Sequence, residues 1–275
     1  MRNFFRGITR RGALTLLTGL LVALPLGSAS AADAPVLSRI SESGTLRVGM
    51  SAGQPPFNFT SREGKTIGMD VDLAGLLAVA LNVELEIVDM PFGQLLPALE
   101  EGKVDLVMSG MTATLPRNMR AAFVAPYHVT GKSILARTET LAALGTEELG
   151  ETELKVAALA GSTSEDFVKV VAPNANLTTT DDYNEAIDLM LANKVDMFVA
   201  DASIIMLSMM RWPDAGLVAA NKPLTIEPIG IAVPANDALL LNLVQNYMRA
   251  MEASGVLEQL NKKWFQDASW LIQLP

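Results

Sequence analysis

The chain has 275 residues with one histidine and no cysteine, half of it is hydrophobic, and its formal charge is −9. Without cysteine there is no disulfide, no thiol nucleophile and no lipid anchor on an N-terminal cysteine; with one histidine, no zinc or iron site and no other cofactor is expected. So acidic a chain does not suit nucleic acid or an anionic membrane surface, and its length fits one large domain or two small ones.

Arg2, Arg6, Arg10 and Arg11 give a basic start with no acid, residues 13–27 are apolar, and Ala29-Ser30-Ala31 is a small-residue cleavage signature. That order is a secretory signal peptide, too short for a membrane span. Thr9 to Leu14 also faintly resembles a twin-arginine signal, but Ala13 stands where that motif has phenylalanine, which favours the general secretory route. Removing the first 31 residues leaves 244 and, with four arginines gone, takes the charge to −13. The expectation is a free, soluble, monomeric protein of a Gram-negative periplasm.

Leu46 to Met50 reads as a short strand, broken by Gln54-Pro55-Pro56-Phe57, where two prolines cannot continue a sheet ladder. Arg62 to Lys65 is a turn. Asp70 to Leu73 opens a helix with apolar residues at 73, 76, 77, 80 and 81 and Asp70 as its N-cap. Val83 to Val88 alternates as a strand, and Phe92 to Glu101 is a second helix stopped by Gly102. Val104 to Met108 is a buried strand. Alternating strands and helices imply an α/β unit with a mainly parallel sheet.

That strand runs into Ser109, Gly110, Thr112 and Thr114 and ends on Leu115-Pro116-Arg117. Freed backbone N–H groups, threonine hydroxyls and a planar guanidinium fork would hold a carboxylate. An ordinary polar loop with one solvated arginine would read the same.

The plan then repeats. Leu154-Lys155-Val156-Ala157 echoes Leu46-Arg47-Val48-Gly49, and Lys194-Val195-Asp196 echoes Lys103-Val104-Asp105 at an offset of 91 residues, which maps Gly110 onto Asp201. Ligands of open α/β sheets sit beyond the carboxyl ends of the strands, so two such edges face to face make a cleft. Chance likeness between two helix–turn–strand units is the alternative. In the second unit, residues 161–166 (Gly-Ser-Thr-Ser-Glu-Asp) join a strand to a helix, and its freed N–H groups favour an anion; a plain cap by Ser162 or Thr163 could coexist with that role. Gly230 to Pro234 is another strand, followed by helices over 238–253 and 256–265.

S-G-M-T-x-T-x-x-R at 109–117, with Phe123 and Pro126-Tyr127, resembles the ligand segment of bacterial extracellular solute-binding proteins, in particular the polar amino-acid-binding family that serves ABC importers. The likeness covers nearly the whole mature chain. It includes Leu46-Arg47-Val48-Gly49, Pro55-Pro56-Phe57-Asn58-Phe59, Gly68-Met69-Asp70-Val71-Asp72-Leu73, Gly255-Val256-Leu257 and Lys263-Trp264-Phe265.

The resemblance implies a two-lobed periplasmic-binding-protein fold of type II, each lobe a mainly parallel sheet flanked by helices, joined by a two-strand hinge. Lobe 1 would be residues 36–126 plus 230–275, lobe 2 residues 132–225, and the crossings 127–131 and 226–229. Arg117 sits where the family's arginine pairs with an α-carboxylate, with Thr112 and Thr163 as further donors. Ser109 and Gly110 would offer oxygens to an ammonium group, and Asp201 would accept it from the opposite lobe. Phe92 matches a ring against the ligand, or else a core aromatic. Two departures stand out: Gln54 replaces an aromatic wall and could bond a polar side chain, and Ala122-Phe123-Val124 replaces Asp-Phe-Ser.

Three readings follow. The first is a receptor that captures an amino acid or similar zwitterion and presents it to an ABC permease. The second is an enzyme like the periplasmic cyclohexadienyl dehydratases, which the family also resembles and whose acid-assisted loss of water and carboxylate needs a poised proton donor. The third is an accessory protein whose cleft binds no free solute. Elsewhere the residues read plainly: Asp201 as a possible helix cap, Phe57 and Phe59 as core, His128 as structural, Met190, Met197, Met206, Met209 and Met210 as core filling, and Glu147-Glu148 and Lys262-Lys263 as solvated faces.

Overall fold

The computed structural model describes residues 34–143, 153–220 and 222–275. The signal-peptide reading and the Glu147-Glu148 pair therefore lie outside the described residues. From residue 34 the chain runs α1 (Pro35–Ser43), β1 (Thr45–Met50), three short strands β2 (Gly53–Gln54), β3 (Asn58–Thr60) and β4 (Thr66–Ile67), α2 (Met69–Leu81), β5 (Glu84–Asp89), α3 (Leu95–Glu100), β6 (Leu106–Val107), α4 (Leu115–Asn118) and β7 (Ala121–Thr130). Next come β8 (Lys132–Arg137), α5 (Thr138–Ala143), β9 (Lys155–Leu159), α6 (Thr163–Val171), β10 (Asn176–Thr180), α7 (Tyr183–Leu191), β11 (Met197–Asp201), α8 (Ala202–Arg211) and β12 (Leu217–Ala219). The last elements are β13 (Glu227–Pro234), α9 (Ala238–Ala253) and α10 (Val256–Asn261).

Two five-stranded sheets result, ordered β5-β1-β6-β13-β7 and β10-β9-β11-β8-β12. In each, three parallel strands are followed by one antiparallel strand and an outer strand antiparallel to that one. Four strands of each sheet thus point the same way, and the two sheets are copies in plan.

The repeated Lys-Val-Asp runs do the same work in both copies. Asp105 N donates to Arg47 O at 2.9 Å, while Arg47 N donates to Asp105 Oδ2 at 2.7 Å. Asp196 N donates to Lys155 O at 2.8 Å, while Lys155 N donates to Asp196 Oδ2 at 2.9 Å. The carboxylate takes the N–H that a strand carbonyl would otherwise accept. The ladder of β6 with β1 therefore begins only at Leu106, and β6 is shorter than the run from Val104 to Met108 that the sequence predicts.

Helix α2 departs from expectation at its start and on its face. Gly68, at φ 143°, is the N-cap and no side chain caps the helix. Asp70 does not cap; it turns inward and is fully buried. The buried stripe is 69, 70, 73, 74, 77 and 78, where Ala74 and Ala78 let the helix approach the sheet, and Leu76 is exposed. Met190 and Met197 are core, and Met209 packs against it. Met206 and Met210 are not core: both are more than half exposed and line a hollow of about 340 Å³ with His128, Trp264 and Phe265. They project from the outward side of α8, whose Leu207 faces in. Phe57 and Phe59 are core, and His128 stacks on Phe265 at 3.8 Å with Nδ1 2.7 Å from Asn261 Oδ1.

The chain leaves the first sheet along β7 and returns along β13, and these two strands pair from Thr130↔Glu227 to Ala121↔Pro234 with an irregularity between Ile229 and Ile231. On its other side β13 binds the loop after β6: Ala113 N donates to Pro228 O at 2.8 Å, Gly230 N donates to Met111 O at 3.0 Å, and Thr112 bridges Ile229.

Candidate functional site

The carboxyl ends of the parallel strands of both sheets converge on one cleft, as open α/β sheets require of a ligand site. On the first sheet, β6 ends in Met108-Ser109-Gly110. Gly110 has φ +54°, and a Cβ there would lie 3.1 Å from the Phe57 ring. Only glycine takes that turn comfortably, and it aims the Gly110 N–H at Asp70 Oδ2, 2.9 Å away. Asp70 also accepts from Asn58 Nδ2 at 2.8 Å and from the Tyr127 hydroxyl at 2.7 Å. Burial pushes the Asp70 carboxyl up to about 6 despite these three donors, and burial together with Asp70 pushes the Tyr127 hydroxyl up.

Ser109 is wholly buried and its hydroxyl is spent inside the lobe, donating to Gln54 Oε1 at 3.0 Å and accepting from Ser51 N at 3.1 Å. Gln54 is itself buried, and its Nε2 reaches the Tyr183 hydroxyl of the other half at 3.4 Å. The missing aromatic wall is thus replaced by an amide that ties the halves together. Thr114 caps α4 by accepting from Arg117 N at 3.3 Å. That leaves Thr112 as the cleft member of the pair, and it is buried with its hydroxyl 3.5 Å from that of Thr163.

Arg117 spans the cleft. Nη1 donates to Thr112 O at 2.9 Å on its own side and Nη2 donates to Gly161 O at 3.0 Å on the other. The guanidinium lies over the Phe92 ring at 5.5 Å, while Phe92 is also part of the core beneath. Burial lowers Arg117 from its ordinary value, and Asp166, Glu227 and Asp201 oppose that shift. Among the described residues it makes no ion pair: both polar partners are backbone carbonyls.

In the second half, Ser162 caps α6 by accepting from Ser164 N and Glu165 N. Glu165 Oε2 accepts from Gly161 N at 2.6 Å. The loop's own cap and carboxylate consume these N–H groups, and it meets the cleft through the Gly161 carbonyl and the Thr163 side chain. Asp201 ends β11 at the N-cap position of α8, yet its side chain does not cap the helix. Oδ1 instead accepts from Lys132 Nζ at 2.5 Å.

Two cleft residues were not singled out from the sequence. Lys132 faces Asp201 across the β8–β11 ladder and is 2% exposed. Glu227, at the start of β13, lies 3.7 Å from Lys132 Nζ through Oε2 and accepts from the Thr163 hydroxyl at 3.1 Å and the Thr225 hydroxyl at 2.8 Å. The available signal was a charge opening each of two strands whose middles are apolar. The result is a chain of polar groups from Arg117 through Thr112, Thr163, Glu227 and Lys132 to Asp201. A hollow of about 230 Å³ opens just outside Arg117, between Phe92, Leu96, Met111, Gly161 and Asp166. A larger one, about 390 Å³, lies away from these groups against Phe123 and Met248.

The family model for bacterial extracellular solute-binding proteins, family 3, matches residues 46–267. The arginine-binding extracellular protein ArtP of Bacillus subtilis is 34% identical over 82% of this chain and 88% of its own. The cyclohexadienyl dehydratase of Pseudomonas aeruginosa is 27% identical over 84% of this chain and 86% of its own. Among solved structures, the ancestral amino acid-binding protein AncCDT-1, a precursor of cyclohexadienyl dehydratase, superposes with a TM-score of 0.76 at 35% identity over 83% of this chain and 99% of that one. The two-lobed type II arrangement implied by the sequence resemblance is the one observed.

Proposed function

Because the chain belongs to family 3 of the bacterial extracellular solute-binding proteins, we propose that it captures an amino acid or similar zwitterion between its lobes, in the periplasm, and hands it to an ABC permease. One observation carries this reading. Arg117 is a desolvated cation whose polar partners are backbone carbonyls, one from each half of the molecule, in the same cleft as the carboxylates of Asp201 and Glu227. A zwitterion supplies the anion that Arg117 lacks and a cation for the carboxylate end. Contacts drawn from both lobes make binding and closure one event. In this reading Arg117, Thr112 and Thr163 hold the carboxylate, Gly110 and Asp201 the ammonium, and Ser109, Gln54 and Phe92 shape the walls.

A thermal-shift screen of the proteinogenic amino acids tests it. A ligand at a hundred times its Kd adds about 2.7 kcal/mol to the folded state, a plain rise in Tm. If no amino acid raises Tm, the reading fails.

The likeness to a cyclohexadienyl dehydratase keeps one other reading in play, acid-assisted elimination on the same scaffold. It needs a protonated group in the cleft. Asp201 and Glu227 both serve as acceptors, from the Lys132 ammonium and from threonine hydroxyls, and neither donates a hydrogen bond among the described residues, which supports a non-enzymatic receptor. Incubation with prephenate or arogenate separates the two: product formation would establish the enzyme.

A further inference from the structure

Lys132 and Asp201 are register partners on neighbouring antiparallel strands, so their side chains leave the sheet on the same face. The pairing is therefore built into the fold. It uses one oxygen of Asp201; Oδ2 carries no hydrogen bond among the described residues. Glu227 is spent more fully: Oε1 accepts from Thr225, Oε2 accepts from Thr163, and the Lys132 ammonium stands beside Oε2. Lys132, Asp201 and Glu227 are all more than nine-tenths buried.

We propose that Lys132 sets the solute class: the cleft takes an amino acid whose side chain carries no charge, and Lys132 shuts out arginine and lysine. This rests on the amino-acid reading above. An α-ammonium has one acceptor waiting, Asp201 Oδ2. At that end a second positive group has none, because Lys132 already stands as the built-in cation between the two carboxylates of this polar chain. Charge balance points the same way. Along this polar chain Arg117 and Lys132 offset Asp201 and Glu227, with Asp166 outside it on the far side of Arg117, so a zwitterion with an uncharged side chain leaves the chain neutral. Arginine or lysine leaves one positive charge in excess and glutamate one negative, and an uncompensated buried charge is strongly disfavoured. The uncharged polar groups near Asp201, the Gln54 amide and the Tyr183 hydroxyl, suit such a side chain.

Calorimetry at neutral pH, on protein freed of any co-purified solute, tests this with the uncharged amino acids, L-arginine, L-lysine and L-glutamate. The expected result is that at least one uncharged amino acid binds a hundredfold or more tighter than arginine, lysine or glutamate. Lys132→Met should then gain at least tenfold for arginine relative to that solute. Arginine or lysine binding the unaltered protein within tenfold of the best uncharged amino acid overturns the inference. So does a folded Lys132→Met that still rejects arginine. Should that variant not fold, Glu227→Gln, which leaves the cleft one charge positive, is expected to raise relative affinity for L-glutamate at least tenfold; no shift overturns the inference. Binding of no amino acid at all would instead remove the receptor reading on which it stands.

Discussion

Gly93 and Gly161 meet across the cleft so closely that a Cβ added to Gly161 would lie 2.7 Å from Gly93 Cα. The reverse is not true: a Cβ on Gly93 would have its nearest neighbour, Ala160 O, at 3.5 Å, an ordinary contact. Gly161 also sits at φ +71°, where an L side chain costs about 1 kcal/mol. Gly161→Ala is therefore expected to hold the lobes apart and weaken solute binding at least tenfold, while Gly93→Ala binds nearly as the parent does. Small-angle scattering with solute present should show the first variant staying open and the second closing.

Arg117→Ala should remove solute binding with little effect on folding. Charge-assisted hydrogen bonds contribute about 1.5–3 kcal/mol each. Losing a two-pronged grip on a carboxylate then amounts to roughly a hundredfold or more in Kd. Arg117 bonds two backbone carbonyls at the cleft edge rather than a core group, so the midpoint of unfolding should move little. Titration calorimetry showing unchanged affinity would refute the assignment.

Asp70 predicts a pH signature. Its carboxyl is raised from 3.8 to about 6 in the folded protein, so the folded state binds the proton more tightly than the unfolded state does. The favourable contribution is complete below pH about 4 and is lost as pH rises through about 6. The shift corresponds to about 3 kcal/mol at 1.36 kcal/mol per unit. In Asp70→Asn that component disappears. The difference in unfolding free energy between parent and variant, measured in urea at several pH values, should therefore slope between pH 4 and 6 and flatten above. A difference independent of pH would show that Asp70 titrates normally.

Asp105 and Asp196 occupy equivalent places in the two sheets but differ in what surrounds them. Asp105 is fully buried and paired with Arg39 and Arg47, whereas Asp196 is only half-buried and accepts from Lys155 N. Asp105→Ala is expected to cost about 3 kcal/mol, since it removes the charge-assisted hydrogen bonds of a buried carboxylate with Arg39 and Arg47 and the acceptor for Arg47 N. Asp196→Ala should cost about 1 kcal/mol, the usual worth of one hydrogen bond. Comparable urea midpoints for the two would contradict the asymmetry.

The doubled architecture was legible in the chain because its marker, Lys-Val-Asp after a helix, has a fixed backbone task in each copy. Arg117, Thr112, Thr163 and Asp201 were legible through the family resemblance, since by themselves they read equally as a polar loop and helix caps; the structure brings all four to one cleft. Lys132 and Glu227 were not, because their meaning lies in strand register: only the opposition of residues 132 and 201 on β8 and β11 turns a strand lysine into a cleft cation. Asp70 misled because an acid at a helix start usually caps, whereas here burial and three donors from distant segments turn it inward. Met206 and Met210 misled because α8 has an apolar outer face that composition alone assigns to the interior.

The bonds from Ala113 to Pro228 and from Gly230 to Met111 stitch the solute-facing loop of the first lobe to the returning strand. That strand cannot swivel over residues 228–230 without tearing the loop. In the receptor reading bending therefore falls beyond that bracing, at the crossings near residues 131 and 226, where Gly131 O already accepts from Ala202 N and the Thr225 hydroxyl from Lys132 N. In that reading Lys132, Thr163 and Asp201 travel together as one jaw, while Arg117 and Thr112 stay with the anvil. What a membrane partner would sense is an angle between two unchanged bodies.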